Sequence, residues 1–221
     1  MSRRNLDIII ATGGAMFAVL VVALGLVLRN EANFAKDNVT TQLSEQRIDF
    51  KDAAALTPQE RELPGMVQYA GQPLTTGKQA QAQAGLIALH LEESANKAGF
   101  AGATYASIST PMAALRTQVA DAKAAGNPQA AADAQKQLDA ATALRETQFK
   151  GETLRGMLLT SYGFSVLGER AALAATIAFG IAATAALLAA AGFVHAFVTP
   201  KEAPVLGGRR TPTATPTTPT T

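Results

Sequence analysis

The chain has no cysteine and no tryptophan, and only two histidines among its 221 residues. Without cysteine, disulfide staples, thiol nucleophiles and thiolate-bound metals are excluded. The two histidines, His90 and His195, are far apart in the chain. One imidazole with scattered carboxylates is a thin ligand set for a catalytic metal and a thin basis for a Ser-His-Asp arrangement. No metal, cofactor or catalytic residue is therefore assigned. Charge is also scarce, at 16% of residues against 48% hydrophobic, a mixture that suits a few membrane segments plus one modest polar domain.

Two stretches lack charge altogether. Residues 8–28 contain no ionisable group, and residues 171–198 contain only His195. At 1.5 Å rise, about 20 residues cross the roughly 30 Å hydrocarbon core, so each run is long enough to span once. A cleaved signal peptide is the alternative for the first run. Its length, and the absence of an A-x-A-like site near Leu28-Arg29-Asn30-Glu31, favour an uncleaved anchor. Arg3 and Arg4 precede the first run, and Lys201, Arg209 and Arg210 follow the second. Lys and Arg in short flanks stay cytoplasmic, so both termini are expected inside and residues 29–170 outside the plasma membrane. That segment carries 14 Lys/Arg against 15 Asp/Glu. The sequence pI of about 9.0 thus comes from the tails, which favours anionic lipid beside them over nucleic acid as a partner.

The expected fold class is all-α, with two transmembrane helices flanking a helical extracytoplasmic domain. Residues 1–7 form a cytoplasmic tail, 8–28 the first span, 29–150 the outer domain, 151–170 a juxtamembrane collar, 171–198 the second span and 199–221 a disordered Thr/Pro-rich cytoplasmic tail. Phe34, Val39 and Leu43 keep helical spacing, which extends the first span outward. Residues 57–77, punctuated by Pro58, Pro64, Pro73 and Gly65, read as a connecting loop. Thr76 with Gln79 is a capping-box pattern. Ala84, Ile87, Ala88, Leu91, Ala95 and Ala98 then draw one apolar stripe to Gly99. Thr110 and Pro111 open a further helix that Gly126 closes, and Asn127 with Pro128 repeats the start signal. This spacing predicts a hairpin of about 111–125 and 128–149, with Leu115, Val119 and Ala122 facing Ala134, Leu138 and Ala141.

Residues that invite a chemical reading are mostly explained without one. "GQPLTTGKQA" departs from a phosphate loop in glycine spacing and in having Gln79 where magnesium needs a hydroxyl. Glu60/Glu62 and Glu92/Glu93 lack an apolar surround that would split their pKa values, so they read as solvated charge. His90 reads as a helix-flank residue with a solvated tip, and His195 as an interface residue.

Thr176, Gly180 and Thr184 share one helix face, and Gly14 and Ala18 offer matching small residues in the first span. Such faces let backbones approach closely, either within the chain or against a partner's span. In 151–170, Gly151, Gly156, Gly163 and Gly168 weaken helix continuity. Leu154, Met157, Leu158, Tyr162 and Phe164 read as a collar bedded at the membrane interface or under the outer domain.

At "TTGKQAQAQAGLIALHLEESANKAGFAGATYASIST" and "GETLRGMLLTSYGFSVLGERA" the chain resembles uncharacterised two-pass membrane proteins of actinobacteria. Such chains sometimes carry the label of aromatic ring-opening dioxygenase; the histidine count and placement argue against that chemistry here. The resemblance implies a host group and no mechanism. The expected function is a non-catalytic, membrane-anchored accessory protein that binds another membrane or envelope protein, with self-association left open. The alternative is an extracytoplasmic ligand-binding sensor acting through a partner.

Overall fold

The computed structural model describes residues 3–200; the expected Thr/Pro-rich tail, with Lys201, Arg209 and Arg210, lies beyond them. The described residues are helical apart from turns and one isolated antiparallel bridge, Asp49 with Pro73. Six α-helices follow in order: α1 Arg3–Glu45, α2 Pro58–Glu62, α3 Met66–Tyr69, α4 Gly77–Lys97, α5 Ser109–Ala124 and α6 Pro128–Val198. By contact the chain divides into an apolar unit, described over residues 3–30 and 171–200, and a polar unit, Glu31–Arg170.

In the apolar unit α1 and α6 are each long and apolar enough to cross a membrane, and only 17% of the most apolar stretch of each is buried. They pair antiparallel. Gly14 lies against Ala189 and Ala11 against Gly192, and Arg4 sits 5.9 Å from the Phe197 ring. The buried positions recur every seven residues: Ala11, Ala18 and Gly25 on α1, and Ala175, Ala182, Ala189 and Ala196 on α6, with Ala178 between. A strict seven-residue period keeps one seam facing its partner along a left-handed crossing. Gly25 is required for the approach, since a Cβ there would stand 2.7 Å from Phe179 Cε1.

The polar unit has two cores. In the first, Val39 and Leu43 of α1 meet Phe50, Leu56, Met66 and Leu74 of the linking segment, Leu86 of α4 and Leu158 of α6. Phe34, expected on the same stripe, instead points outward at 61% exposure; the buried face runs through Ala32, Ala35 and Val39.

The expected loop at 57–77 is corrected. It folds into α2 and α3 and carries core residues. Backbone bonds from Phe50 N–H to Gln72 O (3.0 Å) and Leu74 N–H to Ile48 O (2.8 Å) hold it to the residues after α1. Arg47, at φ 51, and Gly65, at φ 84, supply the left-handed turns the path needs.

The second core joins Ala95 of α4, Ile108 at the N-cap of α5, Met112 and Leu115 of α5, and Ala141 and Leu144 of α6. The hairpin forms, with Gly126 at φ 65 and Asn127 Oδ1 accepting from Ala130 N–H at 3.1 Å. Ala134 is buried, whereas Ala122 is only half-buried. α5 starts at Ser109 without a side-chain cap, so Thr110 is not its cap and Pro111 lies inside the first turn.

The second arm does not stop near residue 149: α6 continues unbroken for 71 residues. The four glycines therefore fail to interrupt it. Their propensity cost of about 1 kcal/mol each is outweighed by packing. Two of them sit where another helix passes close: a Cβ on Gly151 would be 2.5 Å from Leu91 Cδ2, and one on Gly168 2.9 Å from Ala35 Cβ.

Candidate functional site

The most heavily engaged ionisable group in the polar unit is Glu60, 1% exposed. Local sequence places it: Thr57 caps α2 and Glu60 is its third helical residue. Thr57 Oγ1 accepts from Glu60 N–H at 3.2 Å, and Glu60 Oε2 accepts from Thr57 N–H at 2.9 Å, a complete capping box. Tertiary packing then brings two donors to the other oxygen. Lys51 Nζ donates to Glu60 Oε1 at 2.6 Å, and His90 Nε2 lies 2.9 Å from the same atom.

The Lys51 ammonium, the Thr57 amide and His90, in that order, hold the Glu60 carboxyl down to about 2 against the opposing effect of burial. An ionised carboxylate only accepts, so His90 places its proton on Nε2. The expectation of a solvated Glu60 is corrected, and His90 adds a bond to it that the sequence did not reveal. Lys51 and His90 remain half-exposed at their side chains, while Glu60 is enclosed.

The arrangement locks rather than reacts. Both carboxylate oxygens are occupied, and a group ionised down to about pH 2 has little appetite for a proton at neutral pH. It ties the linker at Lys51, the cap of α2 and the middle of α4 through one carboxylate. On α4 the neighbouring capping box is also complete, with Thr76 Oγ1 accepting from Gln79 N–H at 3.3 Å. Buried Gln148 of α6 donates from Nε2 to Leu91 O at 3.1 Å.

The collar candidates separate. Leu158 is 3% exposed and belongs to the first core. Leu154, Met157 and Phe164 are exposed. Tyr162 is half-buried and lines an open cavity of about 440 Å³ with Tyr69, Lys78 and Glu169. Leu154 and Leu158 therefore do not share one buried face.

In the apolar unit, Gly14 and Ala18 lie in or beside the seam. Thr176, Gly180 and Thr184 do not. Both threonine hydroxyls donate to their own helix, to Ala172 O and Gly180 O at 3.0 Å each, and a Cβ on Gly180 would meet open space. His195 faces an acidic neighbour that was not anticipated: Nε2 is 3.7 Å from Asp7 Oδ2, which is buried without a hydrogen bond. Among the described residues no group of three or more His, Asp or Glu side chains is placed to share a metal ion.

Comparison of the chain with protein-family models, curated proteins and solved structures yields no match.

Proposed function

We propose that the chain is a two-pass membrane protein, both termini cytoplasmic, that holds its polar unit outside the plasma membrane as a non-catalytic accessory module for another envelope protein. The carrying observation is the reversed distribution of side chains in the apolar unit. Alanines and glycine fill the seam, while Leu20, Leu187, Leu188 and Phe197 stand 68%, 73%, 69% and 73% exposed. In water such a surface is costly, and contiguous apolar patches of this extent mark a partner or a membrane. In lipid it costs nothing, and close backbone packing becomes the source of helix association. The resemblance to actinobacterial two-pass chains points the same way, and the cationic tails suit anionic lipid.

The Thr176, Gly180 and Thr184 face, unused by α1, is available to a neighbouring span, from a different protein or from a second copy. Purification in mild detergent with the stoichiometry of co-purifying proteins counted tests this. A stoichiometric membrane partner lost on Gly180→Leu supports the accessory reading; a clean monomer opposes it. A sensor acting through a partner is the second reading, favoured by a cavity in the polar unit lined by Arg116, Arg145 and Lys150 against one acid, Glu146.

A further inference from the structure

The second core of the polar unit is roofed by an open cavity of about 500 Å³ whose walls include Tyr105, Met112, Arg116, Arg145 and Phe149. The volume lies in the range of small-molecule sites, about 300–1,000 Å³. Its charge is unbalanced. Arg116, Arg145 and Lys150 line it against a single acid, Glu146, and that carboxylate is paired with Lys150 at 3.5 Å. Neither arginine has a carboxylate within ion-pair distance among the described residues.

The arginines are held differently. Arg145 is fixed, with its guanidinium carbon 4.8 Å from the Tyr105 ring centre and Nη2 donating to Tyr105 Oη at 3.3 Å. Its Nε–H is buried and has no acceptor, an unmet donor on a charged group that ordinarily finds a partner. Arg116 projects from α5, exposed. The apolar element is adjacent. Tyr105 and Phe149 pack in a tilted pair, 5.4 Å between ring centres and 47° between planes, yet remain 39% and 55% exposed, aromatic surface left half-uncovered beside two uncompensated guanidiniums.

We infer that this cavity binds a small organic anion, its carboxylate taken by Arg145 and Arg116 and its apolar body covering Phe149 and Tyr105. Guanidinium forks match carboxylate geometry, and charge-assisted hydrogen bonds are about twice as strong as neutral ones. The tilted aromatic pair supplies a preformed apolar wall, which rewards a hydrocarbon body over a bare ion. Every residue used lies in the polar unit, so the inference stands whether or not the chain is an accessory subunit.

The test titrates the full chain, in nanodiscs of zwitterionic lipid, with 3-phenylpropanoate, and repeats the titration with 3-phenylpropanol and with propanoate, using empty nanodiscs as baseline. The site requires both halves. 3-Phenylpropanoate should saturate, and both the uncharged alcohol and the ring-less acid should bind about tenfold more weakly. Arg145→Gln and Arg116→Gln should each weaken the acid several-fold and leave the alcohol unchanged. Arg116 is exposed and away from the core, so its variant keeps the test sound even where loss of the Tyr105 stack unsettles the Arg145 variant. Equal affinity for acid and alcohol, or acid binding untouched by Arg116→Gln, would overturn the assignment. So would a signal no larger than that of empty nanodiscs.

Discussion

The two units draw on the same alanine-rich vocabulary and use it in opposite ways. In the polar unit the large side chains are inside: Leu43, Met66, Leu74 and Ile108 are almost wholly buried, and each contributes about 1.5–3 kcal/mol by leaving water. In the apolar unit the large side chains are outside and the small ones are inside. Hydrophobic burial explains the first; on the proposed membrane reading it has no part in the second, where contact between backbones takes its place. On that reading the difference lies in the medium around each unit, and it sets the sign of what a substitution should do.

The largest effect should come from reversing the polar unit's rule. Leu158→Glu places an unpaired carboxylate in the first core and should cost several kcal/mol, seen as a collapse of protease resistance across residues 31–170; unchanged digestion would remove Leu158 from the core.

The equivalent injury to the apolar unit is an addition rather than a polar swap. Gly25→Leu must displace Phe179, and overpacking of this kind costs about 1–3 kcal/mol. The helix pair should separate at a lower denaturant concentration, while Leu187→Ala, on the exposed face, should leave that midpoint unmoved. If the two substitutions behave alike, the contrast between seam and outer face fails.

The buried carboxylate gives a smaller and pH-dependent effect. The Glu60 carboxyl titrates near 2 when folded against 4.5 when free. A depressed carboxyl stabilises fully above the free value, and its contribution is lost as the pH falls from about 4.5 toward 2. Glu60→Gln should lower stability at neutral pH by about 1–3 kcal/mol and flatten the acid limb of a melting-temperature profile between those values. An acid limb identical to that of the unaltered chain would mean that Glu60 is not the group that titrates. The smallest effect belongs to Thr176→Val. The hydroxyl bonds only its own helix, so the pair's stability should change by less than about 0.5 kcal/mol, measured by the same denaturant titration.

Local signals were readable and long-range ones were not. The capping box at Thr76 and Gln79 and the Asn127-Pro128 start are short-range chemistry, and both form. The same signature stands at Thr57 and Glu60, where three nearby prolines drew the reading toward a loop. What it could not reveal is that Lys51 and His90, nine and thirty residues away, converge on that carboxylate. Glycine spacing misled for a related reason: at Gly151 and Gly168 the absent side chain makes room for Leu91 and Ala35, a contact no propensity scale contains. The seam residues were present in plain sight, but alanine is so frequent in residues 171–198 that small residues line every face. Choosing among the faces required the partner helix.

The account rests on the apolar unit lying in a membrane with the polar unit outside, and the absence of native cysteine allows a direct test. Single cysteines introduced at Thr117, Leu187 and Thr211 would be labelled in intact cells with a membrane-impermeant maleimide, then again after permeabilisation. The account predicts that Thr117→Cys reacts in intact cells, Thr211→Cys only after permeabilisation, and Leu187→Cys in neither condition. Labelling of Leu187→Cys in both conditions, or protection of Thr117→Cys in intact cells, would contradict it.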